Sequence, residues 1–305
     1  MQCKMVCPGI AGVAAILFAV APPVMGTQAP SEPIVVQSGL RSPESALHDV
    51  AADVYLVSNI SGNPSEKNGR GFITRVAPDG QVAQLKWIDG EQEGVTLHAP
   101  KGMALRGETL LVADIDAIRL FDRASGKPMG VWPVEGATFM NAIAVGADGI
   151  VYATDTGIDL TTGEPKPTGT AAIYRFDQTG KPTVVARGQE LQGPNGILVV
   201  ADGLTVVEFL SNRVLRVAPD GTVSTRFTLP DGGLDGAVRL ADGSLLISSW
   251  GANAVYQVDP QGKATAIVKD VPAAADLGVD TTRGRLLIPQ LTEDTLRIVP
   301  LPQAR

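Results

Sequence analysis

DGAVRLADGSLLISSW, residues 235–250, carries the reading of the fold. A carboxylate opens it, a short and mostly apolar run follows, ADG turns the chain, and LLISSW is a second apolar run. Two short strands joined by a tight turn are the direct reading, because Gly supplies the positive φ that such turns use. The pattern returns in ESALHDVAADVYLVSN (44–59), KGMALRGETLLVADI (101–115), NAIAVGADGIVYATDT (141–156), NGILVVADGLTVVEFL (195–210) and DLGVDTTRGRLLIPQL (276–291). The six copies begin at Glu44, Lys101, Asn141, Asn195, Asp235 and Asp276, at intervals of 57, 40, 54, 40 and 41 residues. A repeat of about 40–45 residues built from short strands predicts an all-β fold, a six-bladed β-propeller.

The first five copies are each followed by a second hairpin: 71–88, 117–134, 171–188, 213–229 and 254–270, turning on PDG, SGK, TGK, PDG and PQGK. The sixth copy ends with a single strand, TLRIVP (295–300), so its blade lacks an outer strand. PIVVQ (33–37) is the spare strand at the other end of the chain. It is predicted to pair there and close the ring, which hides the edges of the first and last blades. The surplus in the two long intervals falls in NISGNPSEKNGRG (59–71) and TGIDLTTGEPKPTGT (156–170). Both read as loops, and both follow a second strand, so they are predicted to lie on one rim.

The 305 residues include 34 Gly and 22 Pro, with 44% hydrophobic residues, enough for a large core. Length alone suggests about two domains, but the repeat makes 33–305 one propeller. Residues 1–26 read as a signal peptide: Lys4 is a minimal positive start, 10–21 is an apolar run too short to span a membrane, and Val24 and Gly26 precede a cut before Thr27. TQAPSE (27–32) is a flexible lead-in. The expected location is therefore periplasmic or secreted. Cys3 and Cys7, the only cysteines, leave with the signal, which excludes disulfides, thiolate metal sites and a cysteine nucleophile. Loss of Lys4, the one charged residue of 1–26, takes the formal charge from −7 to −8. That acidity argues against nucleic acid and against an anionic membrane surface as partners.

Six polar residues at one repeat phase stand at equivalent places around a central channel. Carboxylate and amide oxygens converging from separate strands suit a hard cation, and calcium accepts six to eight such oxygens in loose geometry. The ion is placed on Glu44, Asn141, Asn195 and Asp235, with Asp276 as an outer acceptor and Lys101 as a counter-charge or a donor to substrate. No His or Cys belongs to the set, which disfavours zinc and copper. Asn-Gly at 195–196 and Asp-Gly at 235–236 are also ordinary turn dipeptides. His48 alternates with Glu44 along its strand, and His98 precedes Lys101 by three residues; either is a candidate general base. No G-x-S-x-G elbow is present.

At these residues the chain resembles the gluconolactonase/regucalcin (senescence marker protein) family of calcium-dependent six-bladed propellers. SPES at Glu44, MNA at Asn141, GPNGI at Asn195 and LDGAV at Asp235 carry the resemblance, in order and in phase. It implies that a glutamate, two asparagines and an aspartate hold a catalytic divalent ion, Ca2+ first, with Mg2+, Mn2+ or Zn2+ as alternatives. The chain departs from the family at Phe139, where gluconolactonase-like members place an arginine that grips sugar lactones, at Ala142, and at SSW (248–250) in place of SDW. Phe139, Met140 and Trp250 suggest a pocket more apolar than a sugar acid needs. The resemblance implies a metal-dependent hydrolase, a lactonase or esterase acting on a small molecule, with Asp235, Lys101 and His98 as catalytic residues. The alternatives are a non-catalytic binding propeller with a structural calcium ion and a metal-free propeller similar to strictosidine synthase.

Overall fold

A computed structural model describes residues 1, 2, 5 and 32–301. The expected signal segment and lead-in fall almost wholly outside these residues. The chain divides into two compact units, Met1–Ser31 and Glu32–Arg305, and the second is the propeller. Among the described residues every regular element is a strand, and no helix is long and apolar enough to cross a membrane.

Six four-stranded antiparallel sheets form the blades. Their inner strands are Pro43–Asp49, Pro100–Arg106, Met140–Val145, Pro194–Val200, Leu234–Arg239 and Gly278–Asp280. In blades one to five the four strands follow one another in chain order. Blade six is completed by Ile34–Val36, antiparallel to Thr295–Pro300 with Ile34 opposite Ile298 and Val36 opposite Leu296. The ring therefore closes as the spare strand predicts. A two-stranded ribbon, Ile158–Asp159 with Lys166–Pro167, lies inside the segment read as a loop.

The core is divided among the blade interfaces. Six apolar clusters each combine residues of two neighbouring blades. Blade one shows the logic: Tyr55 and Val57 pack toward blade six, whereas Leu56 packs toward blade two. Both faces of each second strand are covered, so these strands read as near-continuous apolar runs rather than strict alternations.

The polar residue that opens each of the first five copies sits in a register shift between its inner strand and the second strand. The shifts fall at 43/45, 100/103, 140/143, 194/197 and 234/237. A bulge re-aims the extra side chain out of the pleat, here toward the channel. Gly102, Gly196 and Gly236, which follow Lys101, Asn195 and Asp235, all lie outside the positive-φ region. They are strand residues, so the turn reading of Asn-Gly and Asp-Gly does not hold. Their bare Cα admits the next blade: a Cβ on Gly236 would lie 2.4 Å from the Leu277 nitrogen, and one on Gly196 2.6 Å from the Asp235 carbonyl oxygen. Blades one and six meet in the same way, through Asp276 N donating to Glu44 O at 2.8 Å.

Candidate metal centre

Two rings of side chains build the site. The lower ring is the set in the bulges. Glu44, Asn141, Asn195 and Asp235 are each at most 4% exposed. Each leaves one oxygen buried without a hydrogen-bond partner: Glu44 Oε2, Asn141 Oδ1, Asn195 Oδ1 and Asp235 Oδ1. Asn141 Nδ2 donates to Thr156 Oγ1 at 2.9 Å, which uses one of the two amide N–H groups and fixes the carbonyl oxygen away from that bond. A buried unpaired oxygen costs about 1–3 kcal/mol, so four in one pocket mark a place built for a cation. Two carboxylates and two amides are the donors of a hard ion. Among the described residues no three His, Cys, Asp or Glu side chains converge on a common point, in keeping with a site half made of amides. The residues present therefore fit calcium or a similar divalent ion.

The electrostatics agree. Burial raises the Glu44 carboxyl well above its ordinary range, and Asp235 and Asp276 add to the shift while Lys101 opposes it. Burial likewise raises Asp235, with Asp276 adding; the Trp250 indole and the Asn195 amide lean the other way, the indole N–H stopping short of a full hydrogen bond. Asp276 rises to about 6, again through burial, against a hydrogen bond from Ser45 Oγ of 2.7 Å. Burial is thus the main cause at all three carboxylates, and Lys101 opposes the shift at Glu44. Lys101 is itself fully buried and lowered to about 8 by burial. Its Nζ donates to Pro64 O at 3.1 Å and Ala99 O at 3.0 Å and lies 4.1 Å above the Phe139 ring. That geometry makes it a counter-charge and an anchor for the rim.

A further set of polar residues ends the second strands and fastens the segment that enters each inner strand. Asn59 Oδ1 accepts from Arg41 N at 2.9 Å, Asp114 from Ala99 N at 2.8 Å, Asp155 from Phe139 N at 2.9 Å and Glu208 from Gln192 N at 2.6 Å. In blade five the hydroxyl of Ser249 takes this place and donates to Gly232 O at 2.8 Å.

The upper ring follows directly. Ile60, Ile115, Thr156, Phe209 and Trp250 are the residues after those fasteners, and Leu291 follows Gln290 at the end of the second strand of blade six, one residue per blade. Four of them, Ile60, Phe209, Trp250 and Leu291, line a small pocket of about 60 Å³ whose floor is the four oxygen donors and Lys101. Phe209 and Trp250 stand edge to face, 5.2 Å apart. The rim loops add Pro64, Ile158 and Leu160. They meet over the pocket: Asn63 Nδ2 donates to Leu160 O at 3.0 Å and Leu160 N to Ser65 Oγ at 2.9 Å. Apart from Trp250, this upper ring escaped the sequence reading, although its repeat phase was as regular as that of the lower one. So did the apolar residues Ile60, Pro64, Ile158 and Leu160, which stand out within otherwise polar loops.

The structure places three expected residues elsewhere. Met140 is fully buried in the cluster between blades two and three, so only Phe139 and Trp250 of the apolar trio line the pocket. The bulge at Glu44 breaks the alternation, and His48 shares the blade-six face with Ala46. There its ring nitrogens lie 3.4 Å from Asp53 and from Asp280. His98 is outside the pocket lining; its Nδ1 accepts from Gly69 N at 3.1 Å and holds the rim loop.

Residues 72–275 match the family model described as the SMP-30/Gluconolactonase/LRE-like region, and the chain belongs to this family. Among solved structures it is similar to a gluconolactonase from Xanthomonas campestris, at 20% identity and TM-score 0.67 over 88% of this chain and 89% of that one. It is also similar to the calcium-binding protein regucalcin from Agrobacterium tumefaciens (19% identity, TM-score 0.58, 88% and 96%). Virginiamycin B lyase from Staphylococcus aureus shares the fold at 15% identity and TM-score 0.58, over 89% and 100%. No curated protein matches the sequence.

Proposed function

We propose that the protein is an exported hydrolase of small lactones or related esters that works with a divalent cation, calcium first. One observation carries the reading: the four unpaired oxygens of Glu44, Asn141, Asn195 and Asp235 share the floor of one pocket. The family, the likeness to a gluconolactonase and the likeness to regucalcin support it. A divalent ion held by these four would supply an electrophile for the substrate carbonyl oxygen.

The chain's own residues supply the rest. Asp235 is suited to take a proton from the attacking water and return it to the departing alkoxide. Water oxygen joins the acyl carbon, the acyl–oxygen bond breaks, and the product is the hydroxy acid, ionised at neutral pH. Glu44 fixes the cation, the two amides keep its charge from being fully neutralised, and Lys101 balances the surplus carboxylate. Asp276, held by Ser45, raises its neighbours without lining the pocket.

Asp235→Asn tests the assignment. With metal present, kcat on a lactone panel should fall at least ~100-fold while unfolding remains a single cooperative transition. Unchanged turnover removes Asp235 from the mechanism. A non-catalytic propeller with a structural ion is the second reading, favoured by the likeness to a calcium-binding protein; it predicts metal binding with no turnover on any ester.

A further inference from the structure

The polar side chains that line the pocket are nearly all committed, the Trp250 indole excepted. Glu44, Asn141, Asn195 and Asp235 form the floor, and the remaining one is Lys101. Its ammonium is committed to two backbone carbonyls and to the Phe139 ring. The indole N–H of Trp250 leans toward Asp235 without completing a hydrogen bond, and it is the one wall side-chain donor left to receive a hydroxyl group. A polyhydroxylated ring seated there would lose water around several hydroxyls and regain at most one side-chain partner on the walls, at a cost for every hydroxyl buried unpaired.

The walls offer apolar surface instead, from two sources. The upper ring contributes Ile60, Phe209, Trp250 and Leu291, one from each of four blades. The joined rim loops contribute Ile158 and Leu160. The loops are tied through the backbone of Leu160 and the side chains of Asn63 and Ser65, so the Leu160 side chain is free to face the pocket. From this geometry we infer that the ligand is a lactone or ester with an alkyl or aryl arm and few hydroxyl groups. Its carbonyl would be directed at a cation held by the oxygen floor, and its arm runs between the loop roof and the Phe209–Trp250 pair.

This rests on the hydrolase reading for the word substrate, but the ligand class can be tested without turnover. The full chain in calcium chloride is titrated with non-hydrolysable δ-lactams bearing alkyl arms of increasing length, and with gluconolactam. Trp250 reports binding by fluorescence, and Trp250→Phe identifies its share of the signal. Affinity should rise roughly 3- to 4-fold per added methylene until the pocket is full. Gluconolactam should bind at least ~10-fold more weakly than the best alkyl lactam. Leu160→Asn, on a half-buried loop position, should flatten the chain-length slope without changing the affinity for calcium. A flat slope in the wild type, or equal or tighter binding of the polyol, overturns the inference. Parallel hydrolysis of the matching lactones separates the two claims. A steep slope with no hydrolysis leaves the ligand class standing and removes the hydrolase. Hydrolysis that favours gluconolactone does the reverse.

Discussion

Glu44→Gln/Asp235→Asn keeps the shape of the site and removes two of its charges, and its effects on the empty and the loaded protein should have opposite signs. Four unpaired buried oxygens at about 1–3 kcal/mol each leave roughly 4–12 kcal/mol for an ion to recover, less the cost of dehydrating it. Calcium at ~100 times its Kd stabilises the native state by about 2.7 kcal/mol. For a domain near this size, at ~2–4 °C per kcal/mol, the wild type should melt about 5–10 °C higher when loaded. In the double variant that rise should vanish. The metal-free variant should nevertheless melt at or above the metal-free wild type, because burial raises Glu44 and Asp235, with Asp235 and Asp276 adding to the shift at Glu44 and Asp276 adding at Asp235. Differential scanning calorimetry after chelation, with and without calcium, reads both effects. A variant that retains the calcium response refutes the placement of the ion. A wild type with no response to calcium or any other divalent ion reduces the four oxygens to a solvated channel.

The same carboxyls set a pH dependence. A carboxyl raised in the folded state contributes stability that is full below the ordinary carboxylate range and is lost as pH rises through its folded value, about 6 for Asp276. The advantage of the metal-free double variant over the metal-free wild type should therefore shrink as pH falls from about 7.5 to about 5, read by melting in both proteins; a constant difference contradicts the shifts. Gly236→Ala should cost about 1–3 kcal/mol in denaturant unfolding, because its Cβ meets the backbone of blade six, and a neutral result refutes the close-approach account of Gly236. Val36→Asp should cost roughly 3 kcal/mol, since it puts a charge opposite Leu296 in the closing strand; retained stability would show that the ring does not depend on that strand.

Much of the site was legible because the repeat makes it so. Glu44, Asn141, Asn195 and Asp235 stand at one phase, and a propeller turns equal phase into equal position around the channel. The apolar ring of Ile60, Phe209, Trp250 and Leu291 was written in the same way, sixteen or fewer residues further along each copy, and could have been read by the same comparison. His48 was misplaced for a local reason. Alternation holds only along a regular strand, and the bulge at Glu44 shifts the phase of everything after it.

The sequence by itself determined the number of blades, the borrowed strand within 33–37 and the shared repeat phase of Glu44, Asn141, Asn195 and Asp235. These follow from hydrophobic periodicity and repeat spacing, which are properties of the chain in order. Only the tertiary structure decided why Gly102, Gly196 and Gly236 must be glycine, since the atoms that exclude a Cβ belong to the next blade. It also decided that two loops about a hundred residues apart in the chain meet over the pocket, and that Lys101 is spent on Pro64, Ala99 and Phe139. Contacts between distant segments arise when six blades pack in a ring, and no local pattern records which side chains that packing brings together.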